Sequence, residues 1–142
     1  MIAAWLLAAA VVAPRFAVAV LPNGTEFALE VAADPESRAR GYMFRESVGP
    51  KEGMVFVFDS PERQGMWMKN CRVPLDLVWL DGARRVVHVA ENQRPCPSQG
   101  PCPVVESMRP ALYVLEFAGG TARREGLRIG DTIALLSDPP LR

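Results

Sequence analysis

Residues 15–32, RFAVAVLPNGTEFALEVA, carry apolar positions along two arms separated by Pro22-Asn23-Gly24-Thr25. Asn-Gly supplies the positive φ that a tight turn needs, so the pattern predicts a β-hairpin. In ADPESRARGYM the apolar spacing changes. Asp34 can cap a helix, Pro35 suits its first position and Gly41 its end, which predicts a short helix. GMVFVF, residues 53–58, is apolar with little alternation and predicts a strand covered on both faces. RQGMWMK predicts another strand. Side chains alternate along a strand, so Met66 and Met68 share the core face and Trp67 points the other way. LDLVWLD and RRVVHVAEN flank an Asp81-Gly82 turn and predict a second hairpin.

Beyond residue 93 the periodicity stops. QRPCPSQGPCPVVESMRP holds prolines at 95, 97, 101, 103 and 110, and regular structure is not expected there. ALYVLEFA predicts a strand. GTARREG predicts a short helix or turn capped by Thr121 and closed by Gly126, and LRIGDTIALL a closing strand bent at Gly130-Asp131. The chain contains no internal repeat. The elements add up to one mostly-β domain over residues 14–142, a β sandwich or partly closed barrel with two short helices.

Composition alters this picture at one end. Residues 1–13, MIAAWLLAAAVVA, are uncharged and apolar. The run suits the apolar segment of a secretory signal and is shorter than the roughly 20 residues of a membrane span. Small-x-small patterns follow at Ala8-Ala9-Ala10 and Val11-Val12-Ala13, although no Lys or Arg precedes the run. We therefore expect a signal peptide over residues 1–13, export to the periplasm or cell exterior, and a mature chain without a membrane span. A cut at residues 17–19 would remove half of the first hairpin, so cleavage near Ala10 or Ala13 is expected. The 16 Lys and Arg balance 16 Asp and Glu, and the Arg pairs at 84–85 and 123–124 are short and separate. That is not the basic excess of a nucleic-acid partner.

Candidate chemistry is sparse. Cys96 and Cys102 enclose five residues in a proline-bent loop and are expected to form a disulfide in an oxidising compartment. A metal clip would need four ligands, and this segment has no His. Cys71 is read as a buried free thiol, and His88 as a hydrogen-bonded structural residue rather than its activating base. Met43, Met54, Met66 and Met68 are read as core rather than as copper ligands. No nucleophile elbow, phosphate-cradling loop or zinc pattern occurs, and no metal or cofactor is expected. The candidate site gathers Trp67, Lys69, Asn70 and Asp76 around the chain turn at Pro74, with Arg45 as a wall. An indole beside the space left by Gly65, with convergent polar groups, is the usual make-up of a small-ligand site. The function expected is small-molecule or glycan binding. One alternative is a cell-envelope hydrolase using Asp76 and Glu91 as paired carboxylates. Another is a structural or protein-interaction module.

Five motifs, RARGYMFRES, EGMVFVF, WMKNCRVPLDLVWLD, VAENQRPCPSQGPCP and ALYVLEFAGGTARREGLRIGD, stand in an order that resembles the bacterial and archaeal family called domain of unknown function 192. The resemblance covers about residues 25–136. It implies a small, mostly-β protein, often exported or lipid-anchored, and implies no established activity. The family pattern expects Thr where this chain has Cys71, so chemistry resting on Cys71 would not belong to the family as a whole.

Overall fold

The structure, a computed structural model, describes residues 15–97 and 99–142. The expected signal peptide over residues 1–13 lies outside them. Nine strands and two short helices are present among the described residues. β1 (Phe16–Val20) and β2 (Glu26–Ala32) form the first hairpin around Pro22-Asn23-Gly24-Thr25. α1 (Pro35–Arg40) leads to β3 (Glu52–Glu62), which runs parallel to β2. β4 (Gly65–Trp67) precedes the second hairpin, β5 (Leu75–Leu80) with β6 (Val86–Gln93). β7 (Val104–Glu106), β8 (Ala111–Ala118), α2 (Thr121–Glu125) and β9 (Ala134–Leu136) complete the chain.

Seven strands make one sheet in the order β6-β5-β8-β3-β2-β1-β9, and β4 with β7 makes a separate two-stranded ribbon. The large sheet bends toward closure. Arg85 bridges Thr132, and Val86 N–H donates to Asp131 O at 2.7 Å while Gly130 N–H donates to Val86 O at 2.8 Å. The result is a partly closed barrel. Its interior face packs Leu21, Phe27, Leu29, Val55, Val78, Leu115, Phe117 and Ile133. The opposite face carries Met54, Phe56, Leu75, Leu77, Trp79 and Val114 beneath the α1 turn, the ribbon and residues 68–73. β3, β5 and β8 are therefore buried on both sides, the physical reason for their unbroken apolar runs. Each fully buried Leu or Phe contributes about 1.5–3 kcal/mol.

Local chemistry explains most element ends. The Asp34 carboxylate accepts from Ser37 N–H at 2.9 Å, the Ser37 hydroxyl lies back toward Asp34 N–H, and Gly41 ends α1 at φ +46°. Four expectations change. Gly120, not Thr121, is the residue before α2. The Thr121 hydroxyl donates to Ala118 O, and the helix-end amides are satisfied from β5, as described below. In the second hairpin the positive φ falls on Arg84 rather than Gly82. Asp81 Oδ1 accepts from Ala83 and Arg85 N–H, which fixes the turn by side chain instead of by glycine. Residues 104–106, expected to be irregular, form β7 because β4 offers them a partner. The closing strand contracts to Ala134–Leu136, since residues 127–131 turn to meet β6.

Candidate functional site

A cleft of about 290 Å³ lies on the outer face of the sheet, between the end of α1 and the β4 ribbon. Its floor is the sheet itself. Along β8, Val114 and Glu116 alternate away from Tyr113, Leu115 and Phe117, which sends Glu116 to the outer face beside Phe56 of β3. One wall is the helix end, residues 38–43. The other is Gly65, Met66 and Trp67 with Lys69 and Cys71.

Each wall is pinned. Trp79 Nε1–H, from β5, donates to Gln64 O at 2.8 Å and anchors the start of β4. Met68 O accepts from Cys71 N–H at 3.2 Å and from Cys96 N–H at 3.4 Å, so the Pro-rich loop is tied to the cleft. The Cys96–Cys102 disulfide, with Cα atoms 5.4 Å apart, closes that loop. Phe44 N–H donates to Asn70 O at 2.8 Å, joining the two walls. A Cβ at Gly41 would stand 3.0 Å from Phe56 Cζ and 3.8 Å from Glu116 Oε2. Glycine there supplies both the left-handed φ and the clearance over the floor.

Glu116 is the unusual group. It is 3% exposed, and its Oε2 has no hydrogen-bond partner among the described residues. Burial pushes its carboxyl up to about 8, with Arg45 opposing the shift. At neutral pH it is therefore largely protonated and can donate as well as accept a hydrogen bond. Burial, and then the proximity of Glu116, pushes the Cys71 thiol up to about 11, which removes the thiolate a nucleophile needs. Tyr42 is likewise shifted upward by burial.

The structure brings two of the five expected site residues to the cleft. Trp67 is 44% exposed and lines it, and Lys69 Nζ stands 5.0 Å from the centre of the indole ring. Asn70 sits behind the wall at φ +58°, its amide 3.8 Å from Met43 Sδ. Arg45 stacks over Tyr42 and grips Glu30 of β2 through two contacts of 2.7 and 2.9 Å. Its guanidinium opens on a neighbouring hollow with Glu30 and Glu52. Asp76 departs furthest from expectation. It alternates with Leu75 and Leu77, so it points into the barrel, on the side of the sheet away from Trp67. There it is 0% exposed, and its oxygens accept from Asn92 N–H at 2.7 Å, Gly120 N–H at 3.0 Å and Ala122 N–H at 2.7 Å. Glu91 reaches Arg123 at 3.8 Å. Asp76 is thus an enclosed structural acceptor for three backbone amides rather than half of an acid pair. His88 likewise differs from its reading: its ring packs against Trp79 at a 59° tilt, centroids 5.0 Å apart, with Nδ1 unpartnered among the described residues.

Glu116 was within reach of the sequence. It is the only charged residue in ALYVLEFA, a segment whose apolar run marks it as buried on both faces. Phe56, Tyr42 and the helix-end arginines carry no such signal, because their meeting depends on how α1 folds over β3.

Among known proteins of curated function none matches the chain. Two crystal structures share its architecture. One, from Sinorhizobium meliloti 1021 and provisionally described as a transcription regulator, is 30% identical, with a TM-score of 0.76. The other, a protein of unknown function from Novosphingobium aromaticivorans DSM 12444, is 29% identical with a TM-score of 0.73. Both alignments cover 87% of this chain and 94% of the other. The family model described as DUF192, Uncharacterized ACR, matches residues 18–135. The chain belongs to the DUF192 family.

Proposed function

We propose that this protein is an exported binding domain for a small molecule or a glycan end, held in the cleft beside Trp67. The observation that carries the reading is the buried Glu116 carboxyl, its Oε2 unpartnered among the described residues, on the floor of an apolar cleft walled by a half-exposed indole. A polar group left unmatched in a dry site costs stability, and a bound ligand would supply its partner. Aromatic walls with a few converging polar groups are typical of small-ligand sites. The volume, about 290 Å³, suits a molecule of monosaccharide size or the end of a longer chain. Export is supported by the apolar run at residues 1–13 and by the Cys96–Cys102 disulfide, since disulfides persist in oxidising compartments. The zero formal charge gives no support to a nucleic-acid role. Among the described residues no helix is long and apolar enough to cross a membrane.

Protein purified from its native host, wild type and Trp67→Ala in parallel, should be denatured and its small-molecule fraction compared by mass spectrometry. A compound retained near one equivalent by the wild type and lost from the variant is the expected result. Identical extracts from both would refute the reading.

A further inference from the structure

The charges around the cleft are uneven. Arg38, Arg40 and Lys69 are the basic lining residues, and Glu116 is the acidic one. The Arg38 guanidinium is already committed, donating to Ala33 O at 2.8 Å and Val57 O at 3.0 Å and lying 3.8 Å from Asp59. Arg40 and Lys69 are exposed, on opposite walls, and neither forms an ion pair among the described residues. Lys69 instead lies over the Trp67 ring. Below them sits Glu116, with an unpartnered oxygen. A mouth with two free cations repels a cationic ligand and draws in an anion. The apolar walls, Phe56, Phe58, Met66 and Trp67, then ask for a ligand body that can leave water.

We propose that the cleft takes a small organic carboxylate, its anionic group at the mouth between Arg40 and Lys69 and an uncharged oxygen of its body hydrogen-bonded to Glu116. This rests on the binding reading above and names the ligand class of the same site. The groups facing Glu116 are consistent with it. Tyr42 from the α1 turn and Cys71 from the opposite wall are both shifted toward their neutral forms, and the Arg45 charge is held by Glu30. With the carboxyl itself kept neutral by burial, the floor adds hydrogen bonding without repelling an anion. Sugar acids and hydroxylated aromatic acids share the required chemistry, and the test separates them.

Calorimetric titrations would use glucuronate against glucose, and 4-hydroxyphenylacetate against 4-hydroxyphenylacetamide, with the wild type, Trp67→Ala, Glu116→Leu and the double variant Arg40→Ala/Lys69→Ala. At least one acid should bind about tenfold tighter than its uncharged counterpart. The preference should shrink at high salt and vanish in the double variant. Glu116→Leu should weaken acid and counterpart alike by about tenfold. An acid that binds no better than its counterpart, or a preference that survives in the double variant, would overturn the proposal, as would no binding of either acid. If uncharged probes bind and Trp67→Ala weakens them, the binding reading stands and the anion reading fails. If every probe that binds is indifferent to Trp67→Ala, the binding reading itself fails.

Discussion

Two carboxyl groups show how differently one residue type can be used. Glu116 holds its proton in the folded state up to about pH 8, whereas its ordinary value is 4.5. Unfolding between those values releases a proton, so this group makes stability fall as pH rises through the window, by about 1.4 kcal/mol per unit, and the fall levels off above it. Urea midpoints should therefore decline for the wild type from about pH 5 to pH 8 relative to Glu116→Gln, which has no proton to lose. Parallel curves would contradict the burial of an unpartnered acid. Asp76 is the opposite case, a carboxyl whose three partners are backbone amides. Asp76→Ala leaves Asn92, Gly120 and Ala122 N–H without acceptors and should cost roughly 3 kcal/mol, read as a lowered melting temperature. An unchanged melting temperature would refute that role. The sequence flags an acid beside Pro74 but does not show its partners, because amide donors come from every residue and leave no mark in residue identity. Glu116 was the more legible of the two, as a lone charge in an apolar run.

At the level of elements, the hairpins and α1 follow from local signals: Asn-Gly, the Asp81 side chain in the second turn, and the Asp34-Pro35 start with its Gly41 stop. β7 does not. It is three residues long and exists because β4 presents it a free edge. The α2 start is equally non-local, its amides being satisfied by Asp76 some 44 to 46 residues earlier. The Pro-rich segment illustrates both sides. Its irregularity up to residue 103 follows from the prolines, while its docking to the cleft through Cys96 N–H and Met68 O does not. The disulfide holds that loop while Cys71 stays buried. Of the three cysteines, one should react with a thiol reagent in denatured, unreduced protein, and all three after reduction. In native protein Cys71 should react slowly, since burial and its raised thiol both suppress the thiolate. Three fast thiols in native protein from an oxidising compartment would contradict this arrangement.

For the whole molecule, a mostly-β fold was legible because the period-2 and double-sided apolar patterns account for the seven-stranded sheet. The site was half legible. Trp67 and Lys69 sit together because Met68 alone separates the end of β4 from the turn that follows it, too short a span to carry them apart. The remaining lining comes from α1, β3 and β8, segments brought together only when the sheet is built and its outer face covered. The central claim is that a ligand binds against Trp67. Indole N–H resonances give the most direct test. Trp67 lines the cleft, while Trp79 is buried with its Nε1–H held by Gln64 O. Nitrogen-15 spectra would be recorded during titration with low-molecular-mass extract from the host cell envelope, using Trp67→Ala to assign the peak. The account predicts a saturable shift of the Trp67 indole signal with the Trp79 signal unmoved. A Trp67 signal that stays fixed while other regions of the protein respond to the extract would contradict it.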